Sequence, residues 1–65
     1  MLMSETYCVT VRHGAPDEEK ATGLDKPAMD AWVRANANSG DKCDFFPEGP
    51  NGEAIDETMS FVYEG

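Results

Sequence analysis

The stretch TYCVTVR at residues 6–12 decides the fold that the sequence predicts. Tyr7, Val9 and Val11 fall on one side of an extended chain and the residues between them fall on the other, which is the two-residue period of a β-strand. The β-branched valines and threonines favour the same conformation. We therefore predict a first strand from Thr6 to Arg12, ended by the turn-forming residues 13–16.

The chain after this strand changes period. The polar residues 17–23 predict a loop or a single helical turn begun at Pro16. Asp25 is a residue type that caps helix N-termini, and Pro27 fits the first turn. At 100° per residue the next segment has one apolar face, and Gly40 is placed to end the helix. That face comprises Ala28, Met29, Trp32, Val33, Ala35 and Ala37.

Two more strands are predicted, over residues 42–46 and 57–63, on either side of a loop that contains two prolines and Asn51-Gly52. The order β-α-β-β indicates an α+β fold in which one helix covers one face of a three-stranded sheet. The first two strands run parallel if they are neighbours, and the sheet is antiparallel if the last strand lies between them. The predicted core comprises Tyr7, Val9, Val11, Met29, Trp32, Val33, Phe45, Met59 and Phe61.

Length limits what the protein does. Sixty-five residues predict one domain, residues 1–65, that buries only about 60% of its unfolded surface. This size excludes multi-domain enzymes and favours shallow binding surfaces over deep clefts. No apolar run approaches a membrane span, and the first residues lack the basic and apolar parts of a signal peptide. We expect a cytoplasmic protein.

Charge is the strongest feature of the sequence. Thirteen acids and five bases give a net charge of −8, which disfavours direct binding to nucleic acids and anionic membranes. Residues 1–42 hold seven acids and five bases, whereas residues 43–65 hold six acids and no base. The last third is therefore uniformly negative, and its attraction is to basic surfaces.

One short motif suggests chemistry. Arg12-His13-Gly14 follows the first strand and resembles the Arg-His-Gly signature of the histidine phosphatase (phosphoglycerate mutase-like) family, in which the histidine becomes phosphorylated. That family's site also uses a second histidine and further arginines. Here His13 is the only histidine and Arg34 the only other arginine. We therefore predict an exposed turn at His13, and a protein that is not an enzyme.

The cysteines are expected to be structural. In a chain without a secretion signal, Cys8 and Cys43 are predicted to be reduced and partly buried, with a disulfide between neighbouring strands as the alternative. No ligand spacing typical of zinc is present, and the acids around Pro47 and Pro50 do not follow the calcium-loop pattern. We predict no metal site and no cofactor.

These features favour a small acidic inhibitor that docks on the basic nucleic-acid-binding surface of a larger protein. Size and charge of this kind are similar to those of phage anti-defence proteins, such as anti-CRISPR and anti-restriction proteins. A domain of this length is about 28 Å across, over which one nucleic-acid strand carries about 8 phosphates, so the acids suffice to imitate one strand and not a duplex. The predicted partner-binding residues are Asp44, Glu48, Glu53, Asp56, Glu57 and Glu64.

Two further expectations accompany this hypothesis. Phe46 and Tyr63 flank the acidic third, where they are either core residues or, if exposed, aromatic anchors for a partner. The alternative function is a structural or regulatory subunit that self-associates through a sheet edge. The protein is accordingly a monomer or a homodimer.

Overall fold

The protein has a four-stranded antiparallel sheet and one helix. The computed structural model describes residues 5–65, and the interpretation of residues 1–4 as the start of a chain without a signal peptide lies outside the described residues. The sheet order is β2-β1-β3-β4, and every neighbouring pair is antiparallel. In chain order the elements are β1 (Thr6–Val11), β2 (Glu19–Leu24), α1 (Lys26–Asn36), β3 (Lys42–Glu48) and β4 (Met59–Val62).

The α+β class, the helix and the three predicted strands are confirmed, but the predicted number of strands is wrong. Strand β2 lies where a loop or helical turn was predicted. Its sequence EKATGL is poor in strand-forming residues, and only Ala21 and Leu24 are half-buried. It forms a strand because a turn after Arg12 folds it back along β1, with an Ala15 N–H to Arg12 C=O bond of 2.9 Å.

This additional strand changes the topology. Strands β1 and β3 are neighbours, with Cys8 opposite Phe46 and Val11 opposite Cys43, yet they run antiparallel. Because β2 already reverses the chain, α1 returns it in the direction of β1, and β3 then runs against β1. Both predicted arrangements are therefore wrong in part. The first made β1 and β3 parallel neighbours, but these neighbours are antiparallel. The second placed the last strand, β4, between them, but β4 lies at the sheet edge.

Helix α1 begins where its sequence indicates but ends at Asn36, before Gly40, which was predicted to end it and lies instead in the turn before β3. The carboxylate of Asp25 accepts a hydrogen bond of 2.9 Å from the Ala28 N–H, and a proline occupies the first turn. At the other end the Ala37 N–H donates to the Val33 carbonyl over 2.7 Å. The buried helix residues Met29 and Val33 lie on the predicted apolar face.

The core lies between α1 and one face of the sheet, and the helix packs against β1 and β2. Four strands about 4.8 Å apart spread over more than about 14 Å, whereas a helix is about 10–12 Å across, so one helix leaves part of this face uncovered. The predicted core residues Met59 and Phe61 are accordingly exposed, at 53% and 37%. The buried cluster comprises Val9, Val11, Met29, Val33, Ala37 and Cys43.

Arg12 ties the end of β1 to the rest of the fold. It has a left-handed backbone with φ of 56°. Its Nη1 donates to the Asn36 carbonyl over 3.1 Å and to Oδ2 of Asp41 over 2.7 Å, and its Nε donates to the Asp17 carbonyl over 3.0 Å. One guanidinium thus joins the β1–β2 turn, the helix C-terminus and the loop before β3.

Candidate docking surface

The uncovered half of the helix-side face carries a row of aromatic rings. Strand pairing places Phe45 of β3 beside Val9 and places Phe61 of β4 beside Cys43, so both belong to the face on which the helix packs. The ring of Phe45 contacts Tyr7 and Phe61 edge to face, each with centroids 6.0 Å apart. Tyr7 and Phe45 are half-buried, whereas Phe61 is exposed at 37%.

An open groove of about 440 Å³ lies beside two of these rings, Tyr7 and Phe45. Its apolar floor is formed by Tyr7, Phe45, Pro47 and Met59. The remaining lining residues are charged, and they are Glu5, Lys26, Asp56 and Glu57. We use "the groove" for these eight residues, and it combines an apolar floor with a mostly acidic rim.

Tyr7 connects the floor of the groove to its rim. Its hydroxyl donates a hydrogen bond of 3.0 Å to Oε1 of Glu5. This bond raises the pKa of Tyr7, because ionising the phenol would remove the donor and place a negative charge beside a carboxylate. The hydrogen bond thus joins a residue of the groove floor to a carboxylate of its rim.

Asp44 and Glu48, two of the six acids predicted to bind a partner, lie on the opposite face of the sheet from the groove, because they alternate with Phe45 and Pro47 along β3. Both already accept hydrogen bonds within the fold. Asp44 accepts one of 2.7 Å from the Ser60 hydroxyl, and Glu48 accepts one of 2.7 Å from the Gly23 N–H.

The other four acids are exposed. Asp56 and Glu57 line the groove, and Oδ1 of Asp56 accepts a hydrogen bond of 2.8 Å from the Glu57 N–H. Glu53 lies in the loop between β3 and β4, where its Oε1 accepts one of 3.0 Å from the Asn51 N–H. Glu64 follows β4. The structure thus brings Asp56 and Glu57 together and does not place all six acids on one face.

The aromatic residues singled out in the sequence are not those of the groove. Tyr63 is half-buried and packs against the core, and Phe46 is half-buried on the opposite sheet face beside Cys8. The groove instead uses Tyr7, Phe45 and Met59, which alternation assigned to the core. Alternation identifies the face to which these side chains belong, and no sequence signal shows that the helix stops short of covering it.

The Arg-His-Gly motif forms a structural turn. Arg12 is held by the three contacts described above, and His13 is exposed, with 69% of its side chain accessible. His13 Nδ1 lies 3.9 Å from Oδ2 of Asp44, and Ser60 donates to that same aspartate. The carboxylate therefore stands between the hydroxyl and the imidazole, whereas nucleophilic catalysis needs the imidazole next to the hydroxyl.

Both cysteines are buried free thiols. Cys8 pairs with Phe46 and Cys43 pairs with Val11, so the two side chains project from opposite faces of the sheet and are not placed to form a disulfide. Burial raises the pKa of each thiol, which keeps it protonated and weakly reactive. Within residues 5–65, no three side chains of His, Cys, Asp or Glu form a group that could hold a metal ion.

Comparison with known proteins assigns no family. No family model matches the chain, and neither the curated proteins nor the solved structures include a significant match. No helix in the described part of the chain has the length and apolar character needed to cross a membrane.

Proposed function

We propose that this protein is a small acidic inhibitor that docks on the basic nucleic-acid-binding surface of a larger enzyme or complex. The groove is the observation that carries this proposal. It places two half-buried aromatic rings and the exposed Met59 beside three carboxylates and one lysine, in a chain whose last third has no positive charge. Occupying the partner's basic surface would exclude its nucleic acid.

Charge supports the first step of this mechanism. A net charge of −8 on 65 residues attracts a basic surface over several ångströms and accelerates encounter with it. The same charge repels nucleic acids and anionic membranes. A protein surface rich in Arg and Lys is therefore the partner that this charge favours, and no cofactor enters the mechanism.

Contact supports the second step. Carboxylates at the groove rim would pair with Arg and Lys side chains that otherwise hold phosphate, and bidentate Arg–carboxylate pairs are the strongest of these bonds. Phe45 and Met59 would supply apolar contact at the centre, where binding energy concentrates. Glu53 lies in the loop before β4 and Glu64 lies beyond its far end, so they contribute charge outside the groove, as Asp44 and Glu48 do from the opposite face.

The available surface is sufficient for such an interface. The described residues expose 4526 Å², and a standard interface takes about 800 Å² from each partner, which is less than about a fifth of that area. The proposed class is that of phage anti-defence proteins, including anti-CRISPR and anti-restriction proteins, acting in the host cytoplasm.

A charge-reversal pair tests the proposal. Asp56→Lys with Glu57→Lys changes the net charge from −8 to −4, because replacing a negative side chain with a positive one raises the charge by two. Glu19→Lys with Asp30→Lys makes the same change at exposed residues of β2 and α1, outside the groove. The immobilised proteins are incubated with nuclease-treated bacterial lysate, and bound proteins are eluted with a single-stranded DNA oligonucleotide and then with salt.

The proposal expects nucleic-acid-binding proteins in the oligonucleotide eluate. They should be retained by the wild type and by the Glu19/Asp30 variant, and lost with the Asp56/Glu57 variant. Equal loss in both variants would show that net charge, rather than the groove, determines binding. An eluate without nucleic-acid-binding proteins would contradict the proposed function.

Self-association through a sheet edge is the second candidate, favoured by the sequence of β4. The strand is MSFV, with no charged residue, and its side chains are exposed. Sedimentation at low and high salt separates the two functions, because an apolar sheet-edge dimer persists in high salt whereas an electrostatic complex weakens.

A further inference from the structure

In the part of the chain that the structure describes, strand β4 is an edge strand whose outward-facing backbone groups have no partner. It is the last strand of the sheet formed by residues 5–65, with β3 on its inner side. The Tyr63 N–H donates to the Asp41 carbonyl over 2.9 Å. Because backbone groups alternate in direction along an antiparallel strand, Phe61 and Met59 also face β3, and Ser60 and Val62 face outward. Two N–H and two C=O groups are thus directed to the open edge.

The other edge of the sheet is protected. Strand β2 carries Glu19 and Lys20, and two of its residues, Thr22 and Gly23, lie opposite the single residue Cys8. Edge charges and bulges of this kind block the addition of another strand. Strand β4 has neither feature, so it is the edge that can accept one.

The charges at the two ends of β4 favour one kind of segment as the added strand. Asp56 and Glu57 precede β4 and Glu64 follows it, so both ends of the strand are acidic. A second copy paired antiparallel with β4 would bring the acids before one strand close to the acid after the other. A partner segment with basic residues at both ends would instead place opposite charges together.

We propose that an extended segment of a partner protein, apolar at alternate positions and bearing Lys or Arg at both ends, adds beside β4 as a fifth strand. This inference rests on the proposed function and specifies how the basic partner is recognised. Main-chain bonds to Ser60 and Val62 would supply affinity, and contact with Phe61 on the groove side and Val62 on the other would set the register. The added strand would extend the aromatic row.

The test uses the acetylated and amidated peptide Lys-Arg-Val-Thr-Val-Thr-Val-Arg-Lys with the isotope-labelled full chain. Amide hydrogen exchange is measured by NMR with and without peptide. The Ser60 and Val62 amides, which are open in the free protein, should exchange about tenfold more slowly when about nine-tenths of the protein is bound. Phe61 and Tyr63, whose amides already face β3, report that the sheet is intact in both states.

Two protein variants isolate the outward amide. Ser60→Pro removes this N–H, and Ser60→Ala keeps it, while both lose the hydroxyl that donates to Asp44. We expect peptide binding to be retained in the alanine variant and lost in the proline variant. A peptide N-methylated at alternate residues makes the equivalent change in the ligand, so a proline variant that fails to fold still leaves a decisive measurement.

Each result has a stated consequence. Failure of the peptide to bind, binding without protection of Ser60 and Val62, or equal binding of the N-methylated peptide would overturn strand addition. Protection of these amides that rises with protein concentration, in the absence of peptide, would replace the partner segment with a second copy. If the Ser60→Pro variant still captures the oligonucleotide-eluted proteins, the proposed function stands and strand addition is wrong; if the wild type captures none, the proposed function fails.

Discussion

The two halves of the helix-side face share one sequence pattern and differ in burial. In β1 the alternating residues Val9 and Val11 are fully buried under α1. In β4 the alternating residues Met59 and Phe61 lie on the same face and are exposed. Alternation determines the direction in which a side chain points, and a second layer determines whether water is excluded from it.

The covered half contains the buried core, and the other half is partly exposed to water. An 11-residue helix is about 16 Å long and about as wide as two to three strands. The helix therefore covers only about half of one face of the four-stranded sheet. Exposing aromatic side chains forgoes about 25 cal/mol of stabilisation for each Å² left in water. Burial of the groove would recover part of this stabilisation.

The largest expected effect is on the free energy of unfolding, and it distinguishes the buried Met29 from the exposed Met59. Met29→Ala removes a side chain that is 3% exposed under the helix, and we expect a loss of about 2–5 kcal/mol in the free energy of unfolding. This is comparable to the whole net stability of a domain of this size, about 3–5 kcal/mol. Met59→Ala, at 53% exposure, should change it by less than about 0.5 kcal/mol. Urea unfolding followed by circular dichroism measures both.

A conservative variant checks the cause of this difference. Met29→Leu keeps the buried volume and should cost less than about 1.5 kcal/mol. Similar losses for Met29→Ala and Met59→Ala would show that β4 is covered in solution, contrary to the structure.

A smaller effect is expected at the protected edge. Gly23 has φ of +72°, and a Cβ placed there would meet nothing within 4 Å. Gly23→Ala should therefore destabilise the protein through backbone conformation alone, by about 1 kcal/mol. Thr22→Ala, at the neighbouring exposed position of the same bulge, is the control and should change stability less. Thermal unfolding of the two variants measures the difference, and equal values would contradict the left-handed conformation at Gly23.

The smallest effect concerns acid stability at the Arg12 contact. The Asn38 N–H and Arg12 lower the pKa of Asp41. Its pKa in the folded protein is then below that in the unfolded chain, so the carboxylate stabilises the fold above the unfolded value and loses this contribution as pH falls through the folded value. We expect Asp41→Asn to be less stable than the wild type at neutral pH, with the difference closing below about pH 4.

Unfolding midpoints in urea across this pH range measure the difference. The asparagine oxygen can still accept the Asn38 N–H, so the comparison isolates the charge on Asp41. A difference that stays constant on acidification would show that ionisation of Asp41 makes no contribution.

Local signals in the sequence predicted most of the elements. The alternation at residues 6–11 specified β1, and Asp25 marked the start of the helix, whose end at Asn36 precedes the predicted end at Gly40. Strand β2 was not predicted because its residues have weak strand propensity. It pairs with β1 only because the turn after Arg12 brings the two segments together. Missing one strand also reversed the predicted direction of β3 relative to β1, because each strand or helix between them reverses the direction of the chain once.

The candidate site was predictable only in part. Asp56 and Glu57 were identified by charge, but charge along a chain carries no information about faces, and Asp44 and Glu48 proved to lie on the opposite side of the sheet. Of the predicted core residues, Tyr7 and Phe45 are half-buried against the core and also line the groove, whereas Met59 lines the groove and is exposed. The prediction that six acids bind a partner remains to be tested.

The sequence by itself determined the strands with strong alternation, the start of the helix, the acidic charge and its concentration in the last third, because each depends on neighbouring residues or on composition. Only the tertiary structure decided that β2 joins the sheet, which face each acid occupies, and that α1 packs against β1 and β2 and leaves the aromatic row open. The physical reason is that periodicity specifies the orientation of a side chain relative to its own backbone. Burial depends on what packs above it, and that is set by contacts between residues distant in the chain.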